Sequence, residues 1–168
     1  MTRPGRRTLL IGGGLLAVAA LSAGAAARMG LFAPELAAHP VFAVDGIAIR
    51  GTDPVAYFTE GGPVQGSAEI AADWNGATWH FASAENRDRF LAEPEAYAPQ
   101  FGGFCAWAVA EKGELYSTQP TNWDIVDGKL YLNFNDGIQT RWREDIPGFI
   151  EQAEGRWPEI LAAADAEG

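Results

Sequence analysis

Three dipeptides, Asp45-Gly46, Asn75-Gly76 and Asp127-Gly128, each lie between short runs rich in apolar residues. Asp-Gly and Asn-Gly adopt the two left-handed backbone positions of a tight hairpin, whose twist matches that of the strands it joins. The chain is therefore expected to pair with itself locally at three places. "VFAVDGIAIR" puts Phe42, Val44, Ile47 and Ile49 on one face. In "EIAADWNGATWHF" a two-residue turn sets Trp74 opposite Ala77, Ala72 opposite Trp79 and Ile70 opposite Phe81. "NWDIVDGKLYLNF" aligns Trp123, Ile125, Leu130, Leu132 and Phe134.

Helical signals fill the gaps. In "GTDPVAYF", Asp53 reads as an N-cap with Pro54 at the first helical position. Ser83 opens "SAENRDRFLAEPEAYAP", which Pro94 and Pro99 interrupt. Farther on, Ile138, Trp142, Ile146, Phe149 and Ala153 share one helical face, with Pro147 dividing the segment and Asp145 capping its second piece. The expected fold is α+β: a small, mainly antiparallel sheet built from hairpins, with helices packed on it. It spans residues 41–160, with a C-terminal tail at 161–168.

Residues 1–28 have a different character. Arg3, Arg6 and Arg7 precede an uncharged apolar run from Leu9 to Ala27, and Ala25 and Ala27 offer a cleavage site. Arg6-Arg7 followed by Thr8-Leu9-Leu10 resembles a twin-arginine export signal. Cleaved, the segment leaves a soluble periplasmic domain; retained, it anchors the domain to the outer side of the inner membrane. Residues 29–40, with Pro34 and Pro40, read as a linker.

Hydrophobic content of 48% and six tryptophans argue for a packed domain. The formal charge is −10, and four of the basic residues lie in the leader, so the domain is more acidic still. Such a surface repels nucleic acid and anionic lipid, leaving contact with a membrane to the N-terminal segment. No glycine-rich phosphate loop and no Cys-x-x-Cys pair occurs. Two histidines, with His39 in the linker, make a Ser-His-Asp arrangement hard to build, and a closed zinc site needs more ligands than His80 and Cys105.

Cys105, the single cysteine, lies in "QFGGFCAWAVA". In an oxidising compartment a lone thiol is either buried and inert or exposed for a purpose. Buried in a strand, it would share a face with Trp107 and Val109 as a small hydrophobe. Gly102 and Gly103 would let either a ligand or a neighbouring backbone approach closely. A nucleophilic thiolate would need a nearby cation or N–H donors, and no Lys or Arg is adjacent in sequence. His80 faces Ala71 on the polar side of its hairpin. It becomes a candidate ligand only if a helix closes over that side and brings Cys105 near. Trp107, Trp123 and Trp142 read as core, one of them able to wall a pocket.

Together, "GTDPVAYFTEGGPVQGS", "WNGATWHFASAENRDRFLAEPEAYAPQFGGFCAWAV" and "WDIVDGKLYLNFN" resemble the exported YHS-domain proteins of bacteria, from about Val41 to Trp157. The resemblance implies a small module linked to metal handling. Metal-associated members read D-P-V-C-G-M and then F-C-S-x-x-C; here Ala56, Ala82 and Asn86 replace the three cysteines, so no metal role passes to those positions. Some exported relatives are described as selenoproteins, and the resemblance places the selenocysteine at the position matching Cys105.

Three functions remain open. The first is a non-catalytic module binding a small ligand through Cys105, Trp107, Gly102, Gly103 and Tyr57, or a thiophilic ion such as copper through Cys105 and His80, with a partner envelope protein supplying further ligands. The second is a thiol redox protein with Cys105 as nucleophile. The third is a structural or interaction domain with an inert buried cysteine.

Overall fold

The computed structural model describes residues 39–167, so the leader and most of the linker, including Arg6 and Arg7, lie outside the described residues. Among the described residues no helix is long and apolar enough to cross a membrane.

Each of the three turn dipeptides closes a hairpin, and all six of their residues have φ between 50° and 80°. The hairpins are β1 (Ala43–Val44) with β2 (Ile47–Ala48), β3 (Ser67–Trp74) with β4 (Ala77–Phe81), and β5 (Gln119–Val126) with β6 (Lys129–Asn133). The first four strands form one sheet in the order β1-β2-β4-β3, with β2 parallel to β4, while β5 and β6 form a separate pair. Trp74 lies opposite Ala77 and Ala72 opposite Trp79, as the turn dictates. Phe81, however, pairs with Ser67 and not with Ile70, because the register shifts between Ser67 and Ala71. An irregularity of this kind re-aims an edge strand without disturbing the register nearer the turn. Phe134 lies beyond the end of β6 and is 38% exposed, so it leaves the buried face expected for it.

Six helices complete the α+β fold of the described residues: α1 (Ala56–Thr59), α2 (Ala84–Ala92), α3 (Pro94–Tyr97), α4 (Ala106–Lys112), α5 (Asp136–Trp142) and α6 (Ile146–Glu167). The Ser83 hydroxyl accepts from the Asn86 N–H at 3.1 Å to start α2, and Asp145 accepts from the Gly148 N–H at 3.1 Å to start α6. α6 continues through residues 161–167, where the sequence reading placed a tail.

The segment after Cys105 is helical, not extended. Alternation with Trp107 and Val109 is compatible with a strand, but Ala106, Ala108, Ala110, Glu111 and Lys112 are strong helix formers. Gly113, left-handed at φ 68°, ends the helix. Helical spacing buries Ala106, Val109 and Ala110 against Phe101, Tyr131, Trp142 and Ala153. A second cluster joins the larger sheet to α2, where Phe90 meets Trp74, Trp79 and Phe81 at ring separations of 5.1 to 5.5 Å.

Candidate functional site

Cys105 occupies the N-cap position of α4 and has no exposed surface. Its N–H donates to the Tyr116 carbonyl at 3.0 Å, and it bridges to Leu132 beside β6. The turn leading into it, Phe101-Gly102-Gly103, has φ values of 53°, 63° and 82°. Gly102 and Gly103 sit against close neighbours and are not among the residues of the cleft beside Cys105. A Cβ on Gly102 would collide with the Pro40 carbonyl oxygen, and one on Gly103 would lie 2.8 Å from Ile49 Cγ2. Their carbonyls are committed as well, Gly102 accepting from the Phe42 N–H and Gly103 from the Thr118 hydroxyl.

The thiol faces Asn133, a buried amide that follows Leu130, Tyr131 and Leu132 at the end of β6. Asn133 Oδ1 accepts from Cys105 Sγ at 3.5 Å and from the Trp107 N–H at 3.1 Å. Its Nδ2 donates to Gln139 Oε1 at 2.9 Å, and Gln139 Nε2 donates to the Trp123 carbonyl and to Asp124 Oδ2. Asp124 in turn pairs with Arg143 at 2.9 Å. A connected polar chain therefore runs from the sulfur to a surface ion pair. Burial pushes the Cys105 thiol above its ordinary range, and N–H groups of Ala108, Phe134 and Trp107 offset part of that effect. At neutral pH the sulfur is accordingly a protonated donor.

Beside it lies a cleft of about 330 Å³ lined by Cys105, Trp107, Tyr116, Phe134, Ile138 and Arg141, with Asn135 and Gly137 at the start of α5. Tyr116 and Phe134 are two of the few large hydrophobic residues that remain exposed, at 40% and 38%, and they meet edge to face at 6.3 Å. Arg141 is the only charged residue in the lining. Its guanidinium stands 5.8 Å from the centre of the Trp107 ring, which Lys112 also approaches at 5.9 Å. Trp107, expected as core or pocket wall, is a half-buried wall.

Two other expected contacts lie elsewhere. Tyr57 is buried, packs on Trp123 at 5.3 Å and donates its hydroxyl to the Pro120 carbonyl at 2.9 Å. It is not among the residues lining the cleft. His80 lines a different hollow with Val44, Asp45, Ile47, Arg50 and Gln65. Cys105 is not among the residues of that hollow, and His80 is not among those of the cleft beside Cys105. Among the described residues no group of three or more His, Cys, Asp or Glu side chains converges as a metal site. The residues around the thiol do not fit a copper ion held by this chain alone, because its one polar side-chain partner is an amide.

Asp53 lies two residues before Val55, the N-cap of α1, so Pro54 precedes the helix and does not open it; the carboxylate instead holds the turn leading into it. Oδ1 accepts from the N–H groups of Val55 and Ala56, and Oδ2 from the Ala82 N–H and Asn86 Nδ2, both at 2.8 Å. These bonds tie α1 to the start of α2. They lie beneath a second cleft of about 330 Å³, which gathers Ala56, Ala82 and Asn86 with Glu85 and Arg89. The three positions where the resemblance lacks cysteines thus do come together.

Residues 55–101 match the model of the YHS domain family. This chain carries a YHS domain. No curated protein and no solved structure matches the chain at a significant level. The matched span of the YHS domain contains Ala56, Ala82 and Asn86 and ends before Cys105. Arg141, Tyr116 and Asn133 were not singled out from the sequence, and Phe134 was expected only as part of an apolar strand face. Asn133 left a signal there, an amide inside the apolar run "LYLNF" that must find partners if buried. Arg141 left none, since basic residues also flank it at Arg143 and Arg156.

Proposed function

We propose that this chain is an exported, non-catalytic binding module that holds a small organic ligand in the cleft beside Cys105, just beyond its YHS match. The observation that carries this reading is the lining itself: two exposed aromatic rings, a tryptophan wall and one charged side chain around a single hollow. Its volume of about 330 Å³ lies at the lower end of the range typical of small-molecule pockets. The protonated, buried thiol argues against a nucleophile, which needs thiolate and access. The side-chain partner of the Cys105 thiol is the Asn133 amide, a hard oxygen, which argues against copper as the cargo. Export rests on the leader, Arg6 and Arg7 included.

Native mass spectrometry of unreduced protein from the cell envelope tests the reading. The expected spectrum shows the full chain or a form shortened near Ala27, with a non-covalent adduct that disappears in Phe134→Ala. A bare chain would overturn the binding reading, and recovery only from the cytoplasm would overturn export.

A further inference from the structure

The charges of the described residues are distributed unevenly. Arg87, Arg89, Lys129 and Arg143 each pair with a carboxylate. Arg50 donates to the Thr118 carbonyl and lies over Phe42. Lys112, Arg141 and Arg156 form no ion pair among the described residues, although acidic side chains outnumber basic ones. Two of those three, Lys112 and Arg141, share the Trp107 ring, and only Arg141 lines the cleft beside Cys105.

An arginine resting on an indole keeps a defined orientation while its N–H edge stays available, and that edge matches the two oxygens of a carboxylate. Tyr116 and Phe134 add flat apolar surface on the same cleft, with Ile138 beside them. We propose that the cleft takes a planar organic acid, its ring against Tyr116 and Phe134 and its carboxylate on the Arg141 guanidinium. This deepens the binding reading and rests on it. It also gives Arg141 a counter-charge that the folded domain does not supply.

The test is calorimetric titration of the intact protein at low salt with 2-naphthoate and with its neutral isostere, 2-naphthamide. The acid is expected to bind roughly fivefold more tightly than the amide, the size of a partly exposed ion pair. Arg141→Gln should abolish that preference while leaving thermal stability nearly unchanged. Arg87→Gln, which removes the same charge from α2, should preserve it. Equal binding of acid and amide to the unaltered protein overturns the anion proposal and leaves the cleft as a binding site. An equal loss in Arg87→Gln and Arg141→Gln assigns the preference to overall charge and overturns it too. Binding of neither probe, together with a bare native mass, overturns both readings.

Discussion

Two of the domain's clefts have about the same volume, near 330 Å³ each, and they treat their polar groups in opposite ways. In the first, whose lining lies inside the matched YHS span, Asn86 donates to the nearby Asp53, which takes four hydrogen bonds in all, and Arg89 pairs with Glu85 at 2.6 Å. Its polar groups serve the fold. In the second, beyond that span, the inner groups are equally satisfied through Asn133, but among the described residues Arg141 has no carboxylate partner, and two aromatic rings stay partly in water. Equal volume therefore does not mean equal capacity to bind. A cleft whose polar groups already serve one another has little left to offer a ligand, whereas unmatched charge and exposed ring surface can be improved by one.

That contrast can be broken most directly at Asp53. Asp53→Ala leaves the Val55, Ala56 and Ala82 N–H groups and the Asn86 amide without their acceptor. It is expected to cost about 4 kcal/mol in urea denaturation. A loss under about 1 kcal/mol would mean that the first cleft is not a structural joint. Asn133→Leu removes the acceptor of the thiol and of the Trp107 N–H and orphans Gln139 Oε1. About 2 kcal/mol should be lost, and ligand retention should fall with it, which Asp53→Ala does not predict for any fraction that remains folded.

The smallest effect concerns alkaline pH. Burial raises the folded Cys105 pKa above its ordinary 9.0. Between that value and the higher folded one, the unfolded chain has released its proton while the folded chain retains it. Stability therefore falls as pH rises through this window, by at most about 1.4 kcal/mol per pH unit for one group. Below it the contribution is constant. Tyr131, pushed up from 10.0 to about 12, adds a slope of the same sign at higher pH. The measurement is therefore the difference between the unaltered protein and Cys105→Ala just above pH 9.0. The variant should show the flatter dependence, and parallel curves would mean that the sulfur lies in a wetter place than its burial indicates.

Local chemistry written in the chain itself determined much of the fold. Asp45-Gly46, Asn75-Gly76 and Asp127-Gly128 specify hairpins because left-handed φ at two successive residues is a local property of those dipeptides. Ser83 and Asp145 start helices, and Asp53 holds the turn leading into one, for an equally local reason, an oxygen within reach of nearby N–H groups. The turn nearest Trp74 carried its register correctly for two pairs, and the irregularity at Ser67–Ala71 undid the third. Tertiary structure decided the rest. Alternating apolar residues after Cys105 could serve a strand or a helix, and packing of Ala106, Val109 and Ala110 on Trp142 and Ala153 selected the helix. It also turned Gly102 and Gly103 toward Pro40 and Ile49, kept His80 and Tyr57 out of the cleft, and brought Arg141 from α5 to the Trp107 ring on α4. Residues far apart in the chain meet only after the layers have packed, so a site built from them has no signature at fixed sequence spacing.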